Sequence, residues 1–151
     1  MQYATRLPTI AAALAADAPT IASLQRAKGK DFAIGFTMAW LVYLNDILNL
    51  NKPMTEDQIE LCALEINQAY YTLKISDITY LFRRIISGHY GEFYESLTIP
   101  KVLAFFKDYF EQRCIVAEDD SLRAHRDFSS RSEFDYSNNL RRIFSGKSKK
   151  S

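Results

Sequence analysis

The chain has 151 residues, 48% of them hydrophobic and 25% charged, with only five Gly and four Pro. That length supports one domain with a core of ordinary size, and so little Gly and Pro argues for long regular elements and against a turn-rich sandwich. The net charge of +1 hides an asymmetry: residues 1–120 carry eleven Lys/Arg against fifteen Asp/Glu, while residues 121–151 carry eight against three. An acidic body with a basic end suits an arm that docks on a partner or on nucleic acid, with a merely solvated tail as the alternative.

The first predicted helix opens at Pro8, where a missing N–H costs nothing, and runs to about Ala16. Arg6, the apolar run Ile10–Ala16 and the triplet Ala16-Asp17-Ala18 imitate a secretory leader. The run is Ala-rich and follows Pro8, which favours an amphipathic first helix. Asp17 is placed to cap a second helix, with Pro19 in its first turn and Gly29 near its end. Phe32–Leu50 is apolar nearly all round, so it is expected at the centre of a bundle. Asn45, Asp46 and Asn49 break that pattern and are expected to reach solvent or a partner.

Thr55 caps a fourth helix, with Glu56 and Asp57 in its first turn. Ile59, Cys62, Ile66, Ala69, Tyr70 and Leu73 recur at helical spacing. Ser76 is expected to cap a fifth helix, Asp77–Ser87, with the stripe Ile78, Leu81, Phe82 and Ile85, from which Arg83 and Arg84 turn outward. Gly88 is placed as the left-handed residue that ends it. Thr98 and Pro100 begin a sixth helix that reaches at least Cys114. Beyond Glu118-Asp119-Asp120 the pattern dissolves, which predicts a flexible or partner-ordered basic tail in which Leu140–Phe144 can form a helical turn on binding. The reading is all-α: one bundle of five to six helices over residues 1–120 and a basic polar tail over 121–151. The most apolar run, Met38–Leu44, is seven residues, far short of the roughly 20 that span a bilayer. Cys62 and Cys114 fall in predicted helices and are read as free thiols in a reducing cytoplasm, with a bridge between them left open.

Signatures of chemistry are weak. Gly146-Lys147-Ser148 imitates the end of a phosphate-binding loop, but Arg141 stands where the motif needs Gly and no strand precedes it. His89 and His125 lack any metal-ligand spacing, and no Ser or Cys has an evident base. The chain is therefore read as a non-enzyme without cofactor or metal.

The loop after the fifth helix is the stronger lead. Arg83, Arg84, His89, Tyr90 and Tyr94 fall within twelve residues, and Gly88 and Gly91 set the backbone path. Arg and Tyr suit a recognition surface, and they suit single-stranded nucleic acid, where bases stack on rings and guanidinium groups take phosphates. Alternatively Tyr90, Phe93 and Tyr94 fold back as a lid on the core, the reading preferred for Phe93, whereas Arg83 and Arg84 are read as surface groups. In the tail, Arg141, Arg142, Lys147, Lys149 and Lys150 follow interleaved Arg and aromatic residues. That pattern fits salt-dependent docking on phosphates or insertion of aromatics into a protein groove.

Met54–Arg113 resembles an uncharacterised family of short helical proteins from phage-like and mobile regions of gut bacterial genomes. Met54-Thr55, Gln58-Ile59, Tyr70-Tyr71, Leu73-Lys74, Ser76 and Arg113 carry the likeness, together with Gly88, Tyr90-Gly91 and Phe93-Tyr94. The chain departs from the family pattern at Ile85-Ile86, where a Phe-Lys pair is usual, and at Thr98-Ile99-Pro100, where Asp-Pro is usual. A fainter likeness is to small helicase-loader-type replication accessories of phages. The family has no established activity; the Arg83–Tyr94 loop and the basic tail are read as the contact surfaces of a non-catalytic adaptor of a phage or mobile element, and the likeness to replication accessories implies DNA replication or processing as its setting. Its expected partner is a protein, with single-stranded nucleic acid as a second class. The alternative is a structural component of a particle or homo-oligomer.

Overall fold

The computed structural model describes residues 8–91 and 96–146. The helices start where a side-chain oxygen can meet a free N–H. Thr9 accepts from Ala12 N ahead of α1 (Ile10–Ala15), and Thr20 accepts from Ser23 N ahead of α2 (Ile21–Lys28). Thr20, not Asp17, is thus the second cap, and Pro19 precedes the helix instead of opening it. Gly29, at φ +95°, turns the chain into α3 (Lys30–Ile47). Ahead of α4 (Glu56–Ala69), Thr55 and Gln58 bond each other's backbone N–H, at 3.3 and 2.9 Å. This reciprocal closure satisfies two N–H groups that the helix start would otherwise leave free. Then come α5 (Ile75–Ile86) and α6 (Ile99–Gly146). The all-α reading holds: there is no strand among the described residues, only isolated bridges at Thr20–Lys74 and Lys52–Ser96. No described helix is long and apolar enough to cross a membrane.

The centre of the bundle is α5, not α3 as expected. In α5, Ile78, Leu81, Phe82 and Ile85 are buried along with the polar Ser76, Asp77 and Thr79. From α3 only Ala33, Thr37, Leu41 and Leu44 are buried, and Phe32 stays 54% exposed. α3 packs against α2, α4 and α5, yet Val42, Tyr43 and Ile47 stay exposed along with Phe32. Phe82 stacks on Trp40 of α3 (5.2 Å) and meets Phe106 of α6 edge-on (6.0 Å), tying three helices through one ring. Asn45, expected to reach outward, turns in. Its amide bonds both backbone groups of Met54 (2.8 and 3.0 Å) and so fixes the chain ahead of Thr55.

The polar interior centres on Asp77, which has no exposed surface. Its carboxylate accepts from Lys74 N (2.9 Å), Tyr109 Oη (2.8 Å) and Arg113 Nε (2.9 Å). Asp77 therefore caps α5 from inside the helix. The expected cap, Ser76, instead donates to Ala13 O at 2.7 Å, and Lys74 Nζ donates to Leu14 O and Ala16 O. Both close the carbonyl end of α1. Burial first, then the Asp77 charge, push the Tyr109 phenol far above its ordinary range, so it stays a donor. Cys62 and Cys114 are free; burial, then Glu65, pushes the buried Cys62 thiol up to about 12.

The described chain falls into two units, one ending at Cys114 and one beginning at Ile115. The basic tail, expected to be flexible or ordered by a partner, is helical as far as Gly146. Residues 101–145 contain neither Gly nor Pro, so nothing in the backbone stops the helix.

Replacing Asp77 by Ala strands Arg113 and frees the start of α5. Urea denaturation should register a loss of about 3 kcal/mol or more, the range for breaking a buried pair. Asp77→Asn, which can still accept from Tyr109, should lose less. Equal small losses for both would show that the carboxylate is not a brace.

Candidate functional site

The last turn of α5 ends in paired backbone bonds, His89 N to Arg84 O (3.0 Å) and Gly88 N to Ile85 O (3.2 Å). This closure needs a left-handed residue, supplied by Gly88 at φ +84°, as the sequence implied. A Cβ there would meet no atom within 4 Å, so the requirement for glycine is conformational, not steric. The closure folds His89 and Tyr90 back over the helix. Tyr90 stacks on Phe105 at 4.7 Å, and His89 meets Tyr90 edge-on at 4.9 Å.

Arg84 sits in this fold-back. Its guanidinium carbon lies 5.7 Å from the ring centres of Tyr80 and Tyr90 and 6.0 Å from that of Tyr109. Nη2 donates to Gln112 Oε1 (3.1 Å) and contacts Nε2 of His89. Nη1 is buried with no hydrogen-bond partner among the described residues. Burial pushes the Tyr90 phenol from its ordinary 10.0 to about 12, with Arg84 pulling it down and Asp108 pushing it further up.

The expectation that both arginines point outward is half met. Arg83 is exposed, whereas Arg84 is half-buried over three aromatic rings. A guanidinium is planar and weakly hydrated, so aromatic faces hold it well, and the carbonyl end of α5 favours its charge. Tyr90 follows the lid reading. Arg83, Arg84, His89 and Tyr80 nevertheless line one open cleft of about 410 Å³, with Pro8 and Ser87 at its edge. Neither arginine forms an ion pair among the described residues; the pair found there is Arg113–Asp77. Phe93 and Tyr94 lie outside the described residues.

Sequence reading missed Tyr80, Tyr109 and Gln112 as parts of this site. Tyr80 had a signal, since it stands four residues before Arg84 on one helix face. Tyr109 and Gln112 come from α6 and have no local sequence link to Arg84.

Arg141 and Arg142 are exposed on the second unit, and Lys147, Lys149 and Lys150 lie outside the described residues. Phe128, Phe134, Tyr136 and Phe144 are each at least 67% exposed. Among the described residues no group of His, Cys, Asp and Glu could hold a metal ion. No protein-family model matches the chain, and neither curated proteins nor solved structures give a match.

Arg84→Ala should lower unfolding stability by about 1–2 kcal/mol, from the lost ring contacts and hydrogen bond. Arg83→Ala should leave the melting temperature in place; equal effects would contradict the different burial. Stability should also fall as pH rises from 10.0 toward about 12, because the unfolded chain then releases the Tyr90 proton that the folded chain retains. Thermal melts of Tyr90→Phe should show a shallower decline over that interval.

Proposed function

We propose that the chain is a non-catalytic, cytoplasmic adaptor of a phage or other mobile element, and that it holds a phosphate-bearing macromolecular partner during DNA replication or processing. One observation carries this reading: Arg83, Arg84 and His89 share an open cleft in which neither arginine has a carboxylate partner among the described residues. Arg84 also has a buried guanidinium nitrogen with no hydrogen-bond partner among the described residues, so an oxyanion entering the cleft would meet a cation that the described residues leave without a full set of partners. Arginine suits that task, because its fork of donors matches phosphate oxygens.

Two further features support the reading. Residues 121–151 carry eight Lys/Arg against three Asp/Glu, a charge balance that attracts polyanions. The resemblance of Met54–Arg113 to helical proteins of phage-like regions supplies the setting. A structural, self-associating component is the second reading, favoured by the apolar side chains exposed beyond Cys114.

Fluorescence anisotropy with a labelled single-stranded oligonucleotide tests the first reading. The full chain should bind with an affinity that falls as salt rises. Arg83→Ala, a change at an exposed position, should weaken binding and make the log–log salt slope shallower by about 0.7. Deleting residues 121–151 should weaken it further. If the full chain leaves the oligonucleotide free at low salt, or Arg83→Ala binds with an unchanged slope, the cleft is not a phosphate contact.

A further inference from the structure

Residues 115–146 form a unit of their own and are helical throughout. From Glu118 to Ser145 every residue but Asn138 is exposed. A lone helix of this kind gains nothing from tertiary packing, which is where most helical stability in proteins comes from. It is not uniformly polar, however. Ile115, Leu122, Tyr136 and Ile143 fall on one line at intervals of seven or fourteen, and Leu140 stands beside it. All five are at least 36% exposed, Tyr136 as much as 68%. A seven-residue spacing keeps side chains on one seam only when two helices wind round each other with a left-handed supercoil.

The charges fix the orientation of such a pair. Glu118, Asp119 and Asp120 lie at one end of the segment, and Arg141 and Arg142 lie at the other. Parallel pairing sets acid against acid and base against base. Antiparallel pairing sets each acidic end against a basic one, and helix partners are selected by such complementarity. We propose that residues 115–146 dock antiparallel on the same residues of a second copy of this chain, with the two-fold axis at the level of Arg131. In this register Leu122 lies level with the partner's Leu140, Asp120 with the partner's Arg142, and Arg126 with the partner's Tyr136. The polar middle of the seam, Ser129 and Glu133, meets itself across the axis. Phe128 and Phe134 point away from the seam and stay free. The pairing goes beyond the adaptor reading and needs no nucleic acid.

Sedimentation equilibrium of the full chain without nucleic acid, followed by disulfide trapping, tests the pairing. The chain should sediment as a dimer, and Leu122→Asp combined with Leu140→Asp should reduce it to a monomer while the far-UV helix signal of the bundle persists. In a Cys114→Ser background, a mixture of Leu122→Cys and Leu140→Cys chains should cross-link on oxidation. Leu122→Cys alone should not, because two such residues stand about 27 Å apart along an antiparallel pair at the rise of an α-helix. A monomer at all concentrations overturns the pairing. Cross-linking of Leu122→Cys with itself as efficiently as the mixture overturns the orientation.

Discussion

A carboxylate without exposed surface, Asp77, holds three things in place at once. It closes the first turn of α5 through Lys74 N, takes the phenol of Tyr109, and pairs with Arg113. Burying such a charge is unfavourable unless every lone pair finds a donor, so the helices around it can settle only in an arrangement that supplies them. The neighbours of Asp77 extend the same frame. Ser76 and Lys74 bind the end of α1, which locks the first helix to the start of the fifth. The apolar contacts provide most of the burial, but this network selects which faces meet.

The Arg84 cleft is built on that frame. Tyr109, held by Asp77, offers its ring to the Arg84 guanidinium, and Gln112, one turn on in α6, fixes one edge of it. Rings and an amide hold the cation in place, and no carboxylate pairs with it among the described residues. Its positive charge therefore remains available at a surface that also carries Arg83 and His89. A residue can be structural on one edge and reactive toward a ligand on the other, and Arg84 has both edges.

The second unit follows a different logic. Asp119, Arg123, Asp127, Arg131 and Asp135 alternate in sign at intervals of four, so each has an opposite charge one turn away. Such spacing supports a solvent-exposed helix by a few tenths of a kcal/mol per pair. Among the described residues, the arginines outside this ladder are Arg126, Arg141 and Arg142, which lack an acidic residue three or four positions away. They are the ones left to meet another molecule. The ladder is written in the sequence, and a search for apolar stripes alone passes over it.

Local chemistry was enough to establish much of this protein from its sequence. The all-helical class, the Thr55 cap, the Gly88 closure and the α4 and α5 stripes depend on side chains within one turn of each other. Asp77 as a cap also had a local trace, since it stands three residues beyond Lys74, but its burial and its partners did not. Three features were decided only by the tertiary structure: α5 rather than α3 at the centre, the inward turn of Asn45 and Arg84, and the Asp77–Tyr109–Arg113 cluster. Each joins groups far apart along the chain, and the hydropathy of a segment records how much of it can be buried without recording how many neighbours will arrive to bury it.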